Sequence, residues 1–219
     1  MSAAASLTES FGAEKAAFEA AHPGVHVTIN VGASSTLAMQ LLDGAPVDVF
    51  AAADQPTMTK VSDAGLLAAP PVTFATNSLQ IIVPKGNPRN ITSLADLARS
   101  GVVYVTCSTD VPIGKYSSQA LQRAGVTVTP KSLEPDVKGI VAKVVAGEAD
   151  AGIVYATDVS ATKGAAVGVD IPAAQNVKVA YTVAALKTSS NATIADAWIQ
   201  FLLSTEGQGI LRGFGFGAP

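Results

Sequence analysis

The chain predicts an α/β fold with a largely parallel sheet, on three observations. Strand-like alternation and helix-like apolar spacing succeed one another along most of its 219 residues, the pattern of βαβ units. Glycines close the helical runs, at Gly24, Gly44, Gly65 and Gly147, as helix C-termini require. The composition, 48% hydrophobic and only 14% charged with 12 Pro and 19 Gly, is that of an ordered globular chain.

The elements follow in order. MSAAAS at 1 to 6 reads as the tail of a strand ending in Ser6. A helix then carries Leu7, Phe11, Phe18 and Ala21 on one face until Pro23 and Gly24 stop it. Val25, Val27, Ile29 and Val31 alternate with His26, Thr28 and Asn30, which predicts a strand over 25 to 31. GASSTLA at 32 to 38 hands that strand to a helix over 34 to 43, with Ser34 or Ser35 as N-cap and Leu37 and Leu41 one turn apart. VDVFAAAD at 47 to 54 is a strand, and a helix over 56 to 64 ends at Gly65.

After a Pro-rich connection at 69 to 72, SLQIIVPKG at 78 to 86 is a strand, and Thr92 and Ser93 cap a short helix through Leu94 and Leu97. VVYVT at 102 to 106 opens a second α/β set, with helices over 114 to 124 and 136 to 146 and a strand AGIVY at 151 to 155. NVKVAYTVAAL at 176 to 186 alternates as a strand. Two final helices centre on Trp198 and on Leu211. The long strands at 78 to 84 and 179 to 186 read as crossing between two lobes, which would return the C-terminal helices to the first.

Several function classes drop out. A net charge of −3 supplies no basic field for nucleic acid or an anionic membrane. The uncharged run Ala64 to Pro84 holds Pro70, Pro71, Asn77, Ser78 and Gln80, so it is no transmembrane helix. One cysteine, Cys107, excludes an internal disulfide and, with only His22 and His26, leaves no zinc cluster; it reads as a small buried side chain. No charged and apolar leader opens the chain, so an exported form would have lost its signal already.

Four strand-to-helix junctions carry donors in the same structural place: Ser6, Ser34, VPIGK at 111 to 115 and PDVKG at 135 to 139. Ligands of open α/β sheets lie beyond the carboxyl ends of the strands, and helix N-termini offer unpaired N–H groups to an anion. Tyr155, ending AGIVY, adds a phenolic hydroxyl to that edge. Each residue has a plainer alternative, the serines as helix caps and the tyrosine as an aromatic closing the core.

AAASL at 3 to 7, SSTLA at 34 to 38, GAPVDVFAAAD at 44 to 54, VPIGKY at 111 to 116, DVKG at 136 to 139 and GEADAGIVYATD at 147 to 158 occur in the order in which the molybdate-binding proteins of ABC transporters carry similar motifs. The chain resembles that family nearly end to end, through NSL at 77 to 79 and GQGILRGFGF near the C-terminus. The resemblance implies a two-lobed periplasmic-binding-protein fold of type II, with lobes 1–78 plus 183–219 and 79–182 joined by two crossing strands. It also implies high-affinity binding of molybdate or tungstate as a dehydrated tetrahedral oxyanion, delivered to a membrane permease by a monomer outside the cytoplasm, periplasmic or lipid-anchored at the cell surface. No catalysis, cofactor or nucleic-acid partner is implied. The implied contacts are Ser6, Ser34, Ile113, Val137 and Tyr155, which hold the metal only as its oxyanion.

That donor set suits a fully ionised oxyanion, whose oxygens only accept. Phosphate usually carries a proton and wants an acceptor; Asp110 and Asp136 lie near in sequence, yet no contact position is acidic. Sulfate, smaller than molybdate, is the rival ligand, and an effector domain of a transcription regulator the rival role. Two departures from the family stand out. Ile113 replaces a small alanine, and only Met1 and Ser2 represent the strand before AAASL, which predicts lower stability or a gap filled by another segment. Enzyme motifs are weak: SATK at 160 to 163 lacks its companions, GASST lacks the closing Gly of a nucleophile elbow, and GQGILRG has Arg212 where a dinucleotide loop needs Gly.

Overall fold

The computed structural model describes residues 1–219. In chain order the elements are β1 (Ser2–Ala4), α1 (Thr8–Ala21), β2 (Asn30–Gly32), α2 (Ser34–Leu42), β3 (Val49–Ala52), α3 (Gln55–Asp63), β4 (Val72–Asn77) and β5 (Leu79–Pro84). There follow β6 (Tyr104–Cys107), α4 (Pro112–Arg123), β7 (Ser132–Glu134), α5 (Val137–Val145), β8 (Ala151–Tyr155), α6 (Ala156–Ala161), β9 (Ala166–Asp170), β10 (Val179–Ala185), α7 (Ala192–Leu203) and α8 (Thr205–Gly213). The chain divides into two units, Met1–Thr76 with Val179–Pro219, and Asn77–Lys178.

In the first unit the sheet order is β2-β1-β3-β10-β4. β1 runs parallel to β2 and β3, whereas β10 is antiparallel to β3. Phe11, Phe18, Phe74 and Trp198, all buried, pack edge-on or tilted behind this sheet, the geometry that ring quadrupoles favour. Leu37, Leu41, Phe50, Met58 and Val61 form a second apolar cluster. Ala51, Ala52 and Ala53 are buried in and just past β3.

In the second unit the order is β7-β6-β8-β5-β9, with β6 parallel to β7 and β8 and with β5 antiparallel to β8 and β9. Ile81, Ile82 and Val83 of β5 and Ile153 and Val154 of β8 are wholly buried, so these central strands read as continuous apolar runs. Helix α5 approaches β8 so closely that a Cβ on Gly152 would lie 2.3 Å from Ile140 Cγ2.

The α/β alternation holds, but both sheets are mixed, and parallel pairing is confined to β2-β1-β3 and β7-β6-β8. Neither long strand crosses between units. β5 lies wholly in the second sheet and β10 wholly in the first, so the chain passes over at Thr76–Asn77 and Lys178–Val179, just ahead of each strand. The Pro-rich connection gives way to β4, and β7, β9 and α6 are additional elements. The alternating run at 25 to 31 is a strand only over Asn30–Gly32, because its neighbour β1 starts at Ser2, paired with Asn30. Earlier in that run, Val27 N–H donates to Glu19 Oε1 and the Met1 ammonium to Thr28 O. Beside it a cavity of about 350 Å³ is lined by Met1, Val25, Val27, Val49 and Trp198.

Candidate functional site

In the first unit, the carboxyl ends of β1 and β2 lie side by side, with Ala4 opposite Gly32. Ser6 follows the first end in a 3-10 turn, Ala5–Leu7, and Ser34 follows the second as the opening residue of α2. The N-cap of α2 is Ala33, and Ser34 makes no cap bond of its own. Its Oγ instead accepts Ala53 N–H at 3.0 Å, just past the end of β3. An oxygen held by an incoming N–H keeps its own hydrogen for another acceptor.

Ser6 Oγ lies 3.0 Å from Tyr181 Oη on β10. When the phenol donates, Ser6 keeps its hydrogen as Ser34 does. Tyr181 and the Ala53 N–H are the parts that sequence reasoning missed. Tyr181 was legible only as one member of an alternating strand, and a backbone donor leaves no trace in sequence. Both serines are nearly inaccessible, 5% exposed for Ser6 and 1% for Ser34.

In the second unit three adjacent parallel strands, β7, β6 and β8, all lead at their carboxyl ends into helices. α4 starts with Pro112, which has no N–H to lose, so Ile113 carries the first free helical N–H. Gly114 lets this turn sit on the end of β6, since a Cβ there would fall 2.1 Å from Ser108 O. The Ile113 side chain is buried, 1% exposed.

Val137 opens α5 behind its N-cap Asp136. The Asp136 carboxylate accepts Lys138 N–H at 2.9 Å and Gly139 N–H at 3.2 Å, leaving Val137 N–H uncommitted by the cap. Tyr155 ends β8, and its N–H donates to Asp158 Oδ2 at 3.3 Å. Ile113, Val137 and Tyr155 thus share one sheet edge, as Ser6 and Ser34 share another.

The electrostatics around these donors are largely neutralised. Asp158, whose side chain is wholly buried, pairs with Lys138 at 3.0 Å. Burial, reinforced by the negative charges of Asp136 and Glu134, pushes the Cys107 thiol up to about 12, so it is inert. No group of three or more His, Cys, Asp or Glu side chains is placed to hold a metal ion. The SATK segment closes α6, where Ser160 Oγ donates to Ala156 O. GQGILRG lies inside α8, and its Gly207 serves close approach to α7, a Cβ there lying 2.2 Å from Phe201 O.

The first unit thus presents two hydroxyls at the carboxyl ends of its strands, and the second presents two helix N-termini and the end of β8. Residues 1–217 match the bacterial extracellular solute-binding proteins. The molybdate-binding protein ModA of Mycobacterium tuberculosis is 39% identical over 217 residues, covering 99% of this chain and 83% of that protein. Among solved structures, the periplasmic molybdate-binding protein of Azotobacter vinelandii superposes with a TM-score of 0.87 at 18% identity, covering 100% and 98% of the two chains. The sulfate-binding protein SubI of M. tuberculosis does so with a TM-score of 0.86 at 23% identity, covering 98% and 84%. The chain belongs to the bacterial extracellular solute-binding protein family, as a relative of the ModA proteins, and its role is non-enzymatic.

Proposed function

We propose that this chain is the solute-binding component of an ABC importer for molybdate, with tungstate as an alternative cargo. The observation that carries the reading is a donor set without a committed charge. Ser34, whose Oγ already accepts Ala53 N–H, keeps its hydrogen to donate, Ser6 does the same when Tyr181 donates to it, and Ile113 and Val137 open helices. Tyr155 adds its phenol, and the neighbouring carboxylates Asp136 and Asp158 are occupied in capping and ion pairing. Such a set stabilises a doubly charged, acceptor-only anion and gives a protonated phosphate no acceptor. The likeness to ModA along almost the whole chain supports the same ligand. The family's extracellular role supports delivery to a membrane permease from the periplasm or the cell surface.

The test is a thermal melt with molybdate, tungstate, sulfate or phosphate at equal concentration. A ligand at 100 times Kd adds about 2.7 kcal/mol to the folded state. A rise with molybdate and tungstate alone is the expected result. A rise with sulfate alone would move the chain to sulfate, and no rise with any of the four would refute the reading.

A further inference from the structure

Among the charged side chains within three residues of the proposed anion contacts, Lys138 and Asp158 meet each other. Lys138 follows Val137 in the first turn of α5, and Asp158 lies three residues beyond Tyr155 in α6. Their Nζ and Oδ1 atoms are 3.0 Å apart, with the carboxylate side chain 0% exposed and the lysine 28%. The other carboxylate oxygen, Oδ2, accepts the Tyr155 N–H. The Lys138 N–H itself is held by Asp136. One chain of contacts therefore runs from the α5 N-cap through Lys138 and Asp158 to the Tyr155 backbone.

We infer that the Lys138–Asp158 pair is a positioning device for the anion contacts of the second unit. It fixes the first turn of α5 relative to Tyr155, and it cancels a carboxylate that would otherwise repel the anion. The inference rests on the oxyanion reading. Its physical core is that a buried carboxylate stripped of its cation either repels a nearby dianion or takes up a proton. Lys138 is then not a counter-ion: its charge is already committed to Asp158.

The experiment measures molybdate affinity of the whole chain by calorimetry between about pH 6 and pH 8.5, the range in which a cation-free buried carboxylate titrates. Wild type should be nearly flat across it. Lys138→Met should bind roughly tenfold more weakly at the alkaline end and recover as pH falls and Asp158 takes up its proton. Lys138→Arg should restore the wild-type profile, and Lys138→Met/Asp158→Asn should be flat and tighter than Lys138→Met at alkaline pH. A flat profile for Lys138→Met, whatever its melting temperature, overturns the inference, because a merely structural pair would lower stability without creating a pH dependence.

Asp158→Asn carries the test independently should Lys138→Met fail to fold. It leaves an ammonium unmatched one residue from Val137, so molybdate binding should weaken more steeply with salt than in wild type. An unchanged salt dependence overturns the inference. Wild type that binds none of the four oxyanions refutes the ligand reading, and this inference with it. Binding by wild type with an unaltered Lys138→Met refutes the inference alone.

Discussion

Glu14 is a carboxyl group in the wrong place for a charge, and the pH dependence of stability should show it. The residue is 0% exposed on α1, one turn from Phe11 and Phe18, and neither carboxyl oxygen has a hydrogen-bond partner. Burial, and secondarily the negative charge of Glu206, raises its pKa from the ordinary 4.5 to about 8. The native state then keeps a proton that the unfolded state releases. The stability tied to protonated Glu14 is fully present below pH 4.5 and is lost as pH rises towards 8. The slope is about 1.4 kcal/mol per pH unit, and the total loss about 5 kcal/mol. Trp198, the only tryptophan, is buried in the same unit and reports its unfolding. Urea titrations followed by its fluorescence at several pH values should show wild type weakening steadily from acid to neutral. Glu14→Gln, isosteric and uncharged, should lose most of that slope. Parallel profiles for the two proteins would refute the reasoning.

The hydroxyl geometry of the first unit makes two further predictions. Ser34→Ala removes a proposed donor to the anion and leaves the buried Ala53 N–H without its acceptor, so molybdate binding should weaken by about 1.5–3 kcal/mol in calorimetry. Unchanged affinity would remove Ser34 from the site. Tyr181→Phe keeps the ring and deletes the hydroxyl that Ser6 meets at 3.0 Å. A loss of about 1 kcal/mol, or roughly fivefold in Kd, is expected, and none would mean that Ser6 needs no orienting partner. In the second unit, Gly114→Ala places a Cβ 2.1 Å from Ser108 O and 2.5 Å from Cys107 O, both backbone atoms. Overpacking of this kind costs about 1–3 kcal/mol. A variant with wild-type melting and wild-type molybdate affinity would contradict the close approach.

What was legible in the sequence follows from the range over which each feature is determined. Strand-then-helix junctions are local, so the alternation of Val25 to Val31 and the VPIGK and PDVKG junctions before α4 and α5 mark carboxyl ends of strands. Pairing partners are not local. Asn30–Gly32 becomes a strand and Val25 does not, because the register with β1 reaches only three residues. The short edge strand β7 shows no alternating signal long enough to register. The orienting groups are less visible still. Tyr181 meets Ser6 across 175 residues of chain, and Ala53 offers only a backbone N–H to Ser34. Ser34 looked like a cap because serine so often is one, but Ala33 takes the N-cap position, and the hydroxyl turns to β3 instead.

The charges follow the same logic and decide the chemistry. Sequence places Asp136, Lys138 and Asp158 within three residues of Val137 or Tyr155, which on its face suggests an ionic site. The structure commits each one. Asp136 caps α5, Lys138 is matched to Asp158, and Asp158 also holds the Tyr155 backbone. With those charges committed to a cap, an ion pair and a backbone N–H, the proposed site would select by donor geometry and cavity size. A fully ionised, acceptor-only oxyanion then suits such a site better than phosphate, which still carries a proton near neutral pH, and size separates molybdate from the smaller sulfate.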